Sequence, residues 1–187
     1  MRRSRMVAVL VAVVVAVVVA TVAAVGVSPA GAHVTVHPGK EKKGATDVLL
    51  TFAVPNEEDS ASTTRLELTL PTAAPLLGVH AQAIPGWTAT VETTKLAEPV
   101  TTDDGTVTRV ASKVTWTVND PADAVGPEQF GAFTVLVGAL PRGAPKVVFK
   151  VAQTYSDGTV VSWIQVPVKG TPEPAHPAPV LRLVGKA

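Results

Sequence analysis

In run after run of this chain apolar and polar residues alternate with a period of two, and no sustained helical periodicity competes with them. Val34 and Val36 alternate with His33, Thr35 and His37. The pattern returns in TDVLLTFAVP, TTRLELTLP, WTATVET, TVTRVASKVTWTV, QFGAFTVLVGALP and KVVFKVAQTY, each bounded by Pro, Gly, Asn or Asp. Successive side chains of a strand point to opposite faces, so each run has one apolar face to bury. Many short strands of this kind, joined by turns, fold as two antiparallel sheets packed face to face. The expected fold class is therefore all-β, an antiparallel β-sandwich. YSDGTVVSW places Asp157-Gly158 between two β-prone runs and predicts a type I′ hairpin there.

Both ends of the chain depart from the pattern. Arg2, Arg3 and Arg5 precede an almost unbroken Val/Ala stretch over residues 6–27, followed by Ser28-Pro29 and the small-x-small triplet Ala30-Gly31-Ala32. A basic segment, an apolar segment and an A-x-A site together make a secretory signal peptide over residues 1–32. The length of the run also suits a membrane-spanning helix. Cleavage is the favoured reading, because Pro29 breaks a helix and small residues occupy both recognition positions. Cutting after Ala32 makes His33 the first residue, with a free amine; keeping the segment as an anchor leaves an amide there. At the other end, KGTPEPAHPAP is Pro-rich and lacks alternation. Residues 169–187 are accordingly expected to be a disordered tail behind a sandwich domain of residues 33–168. The final VLRLVGKA is too short to cross a bilayer.

Composition narrows the function classes. The chain has no cysteine, so disulfides and thiolate metal sites are excluded, and export to an oxidising cell envelope is compatible. About 155 residues remain after cleavage, the size of one ordinary domain. The net charge of +1 and the lack of a basic patch interleaved with aromatics argue against nucleic acid as a partner. The expected location is exported: extracytoplasmic, either secreted or associated with the cell envelope.

A terminal histidine is a compact metal ligand. Its α-amine and its imidazole Nδ1 close a six-membered chelate ring on one cation without help from the fold. Two such nitrogens suit Cu(II), which also leads the divalent series in affinity. The amine has an ordinary pKa near ~8, so metal displaces its proton and binding weakens as pH falls. His37 shares a strand face with His33, but four strand steps separate their Cα atoms by roughly 13 Å. His37 therefore reads as an exposed strand-end residue, and His80 and His176 have still less to recommend them as ligands.

HVTV at the mature N-terminus, VPNE closing the next strand, IPGW in mid-chain, an EQF strand opening and YSDGTVVSW near the end carry a resemblance. In order and spacing they resemble the YcnI-like family of bacterial envelope copper-binding proteins, over nearly all of the chain from His33 to about Val168. The resemblance implies an immunoglobulin-like or cupredoxin-like β-sandwich that holds Cu(II) in a mono-histidine brace. Carried over, the amine and imidazole belong to His33 and the family's Pro-x-Glu carboxylate falls on Glu57 of Pro55-Asn56-Glu57, with Glu58 one residue away as its competitor. The copper-proximal tryptophan falls on Trp163. An indole N–H is a donor and not a metal ligand, so Trp163 would shield the ion or orient Glu57. Trp87 and Trp116 are expected in the core, and alternation alone leaves the facing of Tyr155 open.

The function this implies is extracytoplasmic Cu(II) binding in copper acquisition or trafficking, alongside copper-carrier and copper-importing membrane partners. No catalytic triad and no paired catalytic carboxylates emerge, so the protein is not expected to be an enzyme. Two rivals stand beside that reading. A copper oxidase or monooxygenase would use a fuller brace with a second histidine, and an adhesive sandwich without metal would not need His33 to be terminal.

Overall fold

The structure, a computed structural model, describes residues 33–103, 105–168 and 170–186. The expected signal peptide, residues 1–32, lies outside the described residues. From His33 onward the described residues form a compact unit of their own. Its strands are β1 (Thr35–His37), β2 (Lys40–Lys42), β3 (Thr46–Pro55), β4 (Thr63–Thr69), β5 (Leu77–Ala81) and β6 (Trp87–Thr102). They continue as β7 (Gly105–Val118), β8 (Phe130–Ala139), β9 (Lys146–Val148), β10 (Lys150–Tyr155), β11 (Val160–Trp163) and β12 (Val180–Val184). One 3₁₀ turn at Pro121–Asp123 is the only helical element among the described residues.

A four-stranded sheet in the order β1-β3-β8-β5 faces a five-stranded sheet in the order β11-β10-β4-β7-β6. The alternation explains the packing between them. Leu50, Phe52 and Val54 of β3 and Phe133, Val135 and Val137 of β8 are buried in one cluster with Leu66 and Leu68 of β4 and Val114 and Trp116 of β7. Trp116 meets Phe133 across the two sheets at 5.5 Å between ring centroids. The fold class read from sequence is thus the one observed. Glycine is needed at the β6 entrance, where Gly86 of IPGW takes φ 76°. A Cβ there would strike the Asp123 side chain.

Three features differ from the sequence reading. The β10–β11 hairpin forms where expected, but its turn is not type I′. Tyr155 and Thr159 close a three-residue loop, Gly158 has φ 88°, and Asp157 is not among the residues with positive φ. This is a type I turn followed by a left-handed glycine. The Asp157 side chain accepts from the Thr159 N–H and Oγ1, and those bonds hold its carboxyl below the usual carboxylate range.

KVVFKVAQTY is divided between sheets. Phe149 donates its N–H to Pro179 O and separates β9 from β10. The period of two runs straight through, with Val147, Phe149, Val151, Gln153 and Tyr155 all buried. Alternation therefore shows nothing of the change of sheet.

The expected disordered tail is the largest correction. β12 joins a third sheet, β2-β12-β9, antiparallel to β9 and parallel to β2, with Leu181 and Leu183 buried. The Pro-rich stretch ahead of it is an ordered strap. Proline lacks a donor and is tolerated along a sheet edge. Of the three N–H groups between Pro174 and Val180, those of His176 and Ala178 both bond to Gln165. The domain thus runs well past Val168.

Candidate metal centre

His33 lies where the edge strands of the two main sheets come together. β1 pairs with β3 so that Thr35 faces Ala53, Val36 faces Phe52 and His37 faces Thr51. Continuing that register two residues toward the start sets His33 opposite Pro55. The Pro55 carbonyl accepts from Gln153 Nε2 at 2.9 Å, and Gln153 Oε1 accepts from the Trp163 indole N–H at 3.1 Å. The Trp163 ring stands 6.0 Å from the His33 ring, centroid to centroid. A closed circuit of β1, β3, β10 and β11 therefore fixes His33, the Pro-x-Glu segment and Trp163 relative to one another.

Gln153 is the hub of this circuit, and the sequence reading passed over it. It is fully buried, at 0 % exposure, yet every part of its amide is used: Nε2 also donates to Thr63 Oγ1 at 2.8 Å. A buried amide costs little only when its bonds are made. The one signal available was a Gln at an inward position of an alternating strand. Trp163, 1 % exposed, is both core and neighbour of His33. Its indole N–H goes to Gln153, so it orients the Pro55 backbone through that residue and does not bond the Glu57 carboxylate directly.

Asn56, the middle residue of Pro-x-Glu, shapes the carboxylate loop. It is buried, donates through Nδ2 to Ala61 O and Val125 O, and accepts from the Glu58 N–H. Glu57 is exposed and Glu58 half-buried. Tyr155 is buried beneath them. Burial pushes its hydroxyl above the ordinary 10.0, the Glu58 and Glu57 carboxylates push it further, and hydrogen bonds with the Glu57 main chain and Gln153 oppose the rise.

The strap adds two side chains to the same place. Glu173 Oε1 is 3.4 Å from His33 Nδ1. The His176 ring meets Trp163 edge-on at 5.1 Å. Glu57 has no such ion-pair contact with His33 among the described residues. The brace ascribed to His33 and Glu57 needs one imidazole, one carboxylate and a backbone amine. Among the described residues no three His, Asp or Glu side chains converge in a ready-made cation cage. His37 stands away from the site with its Nε2 on Thr35 Oγ1 at 3.0 Å. His80 lies on β5 beside Leu49, Thr51, Gln82, Thr134 and Leu136, which line a shallow depression on the four-stranded sheet. Trp116 is core, and Trp87 packs on Phe133 at 5.2 Å while donating to Asp123 O.

The family model of a domain of unknown function, DUF1775, matches residues 33–183. The chain belongs to this YcnI-like family. The match starts at His33 and includes most of β12. A crystal structure of an uncharacterized protein from Nocardia farcinica, described as an immunoglobulin-like fold, is similar at 39% identity and a TM-score of 0.66. It covers 82% of this chain and 99% of its own. A cohesin–dockerin complex from Clostridium thermocellum is a looser likeness at 9% identity and TM-score 0.41, covering 81% of this chain and 98% of that one. A type I cohesin from Pseudobacteroides cellulosolvens stands at 13% and 0.37, covering 83% and 93%. Both are too distant to bear on this YcnI-like domain. No curated protein matches the chain.

Proposed function

We propose that this YcnI-like protein, processed to begin at His33, binds Cu(II) outside the cytoplasmic membrane and carries it without catalysing a reaction. The observation that carries the reading is the circuit from His33 through Pro55, Gln153 and Trp163 back to His33. It gives a flexible chain end a rigid seat beside a carboxylate loop.

In this reading the ion is cargo. The His33 amine and Nδ1 chelate it, and Glu57 supplies an oxygen that offsets its charge, a nitrogen and oxygen set that Cu(II) accepts. Trp163 walls off one side and keeps the histidine ring from swinging. Pre-set donors lose less freedom on binding. With one face of the ion covered by Trp163 and the loop carboxylate exposed, the cargo can be passed to a copper carrier or importer at the membrane.

The test is a Cu(II) titration of the processed protein followed by electron paramagnetic resonance, with turnover assays on polysaccharide and peroxide in parallel. One tetragonal copper with nitrogen couplings and no turnover is the expected result. Acetylating the His33 amine should remove the amine ligand and with it the tight site. Equal binding by the processed and the acetylated chain would overturn the brace, and sustained turnover would overturn the carrier.

A further inference from the structure

Glu173 is 69 % exposed, and its ion-pair contact is with His33 Nδ1. An exposed carboxylate beside an imidazole gains little from that pair alone, and only when the ring is charged. Lysine and arginine are absent from its ion pairs among the described residues. Yet the segment that carries it is firmly placed. His176 N–H donates to Gln165 Oε1 at 2.7 Å, Ala178 N–H to Gln165 O at 2.7 Å, and Gln165 N–H to His176 O at 3.1 Å. Pro177, Ala178 and Pro179 are buried, and the His176 ring is set against Trp163. The strap thus holds Glu173 near His33 through anchors that do not involve the carboxylate itself.

The separation has a metal-site meaning. Nitrogen and oxygen donors lie about 2.0–2.2 Å from a divalent first-row ion. Two such donors at right angles around it are about 2.9 Å apart, and two opposite each other about 4.2 Å. The observed 3.4 Å falls between these, so an ion can enter between the groups with a small adjustment of an exposed side chain. Nδ1 is also the imidazole nitrogen that forms the chelate ring with a terminal amine. A second carboxylate beside Glu57 would neutralise the double charge of the cation.

We propose that Glu173 is a copper ligand of the His33 centre, delivered by the strap of residues 170–179. The inference rests on the copper reading given above and extends it to a segment that the sequence alone presents as a tail. Copper then ties the strap to β1, and bound metal stabilises the strap as well as the His33 end.

The test uses the processed protein, copper sulfate against a competing chelator, and four variants: Glu173→Gln, Glu173→Asp, Glu57→Gln and His33→Ala. Glu173→Gln should weaken Cu(II) binding by at least about tenfold, the lower end of what losing even an outer-shell partner costs. It should also change the copper resonance spectrum and reduce the copper-induced rise in melting temperature, while leaving the metal-free melting temperature unchanged. Glu173→Asp should recover part of the affinity. If Glu173→Gln matches the parent in affinity and spectrum while His33→Ala loses binding, the strap ligand is overturned and the copper reading stands. If the parent itself binds no copper, both fall together.

Discussion

The chain has four histidines, and the fold deals with them in two ways. His33 and His176 come from opposite ends of the domain and meet on the same ring, Trp163, at 6.0 and 5.1 Å. His37 and His80 are carried by the two edges of the four-stranded sheet, three strand spacings or about 14 Å apart in the order β1-β3-β8-β5. Among the described residues neither has an aromatic ring or a carboxylate as its contact: His37 bonds Thr35, and His80 borders the shallow depression. The side chains are identical in kind. What separates the pairs is a buried tryptophan held by a buried glutamine, which turns two distant histidines into neighbours.

The most severe way to break this contrast is to remove its centre. Trp163→Ala should cost about 3–5 kcal/mol of folding stability, read by denaturant unfolding, and should release both His33 and His176. A variant as stable as the parent would mean that Trp163 is not the pivot. Next in size, His33→Ala should weaken Cu(II) binding by more than about 100-fold, or about 2.7 kcal/mol, while His80→Ala leaves the titration curve where it was. Equal losses in the two variants would erase the distinction between the pairs.

Gln153→Ala sharpens the comparison from beneath. It strands the Pro55 carbonyl, the Thr63 hydroxyl and the Trp163 N–H, and should cost about 1–3 kcal/mol. The unfolding midpoint reads that cost, and the fluorescence of Trp163 should shift as its donor loses its partner. The smallest effect belongs to Tyr155. Its hydroxyl titrates above the ordinary 10.0 in the folded chain. Its contribution to stability is therefore full below pH about 10 and is lost as pH rises through the native value. Tyr155→Phe should flatten the decline in melting temperature above pH about 10, and a decline as steep as the parent's would place its origin elsewhere.

Much of the sandwich could be read in advance because burial on one face imposes a period of two that survives in the sequence. TDVLLTFAVP is β3 residue for residue, and the YSDGTVVSW hairpin is where the turn residues put it. The turn type escaped because a three-residue loop with a left-handed glycine uses the same Asp-Gly pair. β12 escaped although VLRLV alternates, since the proline stretch before it reads as a chain that cannot join a ladder. That inference fails at an edge, where donors are not required of every residue.

For the site, His33, Glu57 and Trp163 could be singled out from residue chemistry and family resemblance, and the fold sets His33 beside Trp163 with the Glu57 loop tied to them. Glu173, His176 and Gln153 could not be chosen in the same way. Their relation to His33 depends on which strand edge the strap follows and on which sheet β10 joins. The sequence by itself determined most of the sandwich strands, their buried faces and the chelating power of a histidine that can become terminal, because these depend on local chemistry and on spacing of one or two residues. Only the tertiary structure decided which groups surround that histidine. Residues 33, 55, 153, 163 and 173 are brought together by sheet pairing and by the burial of one tryptophan, and pairing between distant strands leaves no periodic trace along the chain.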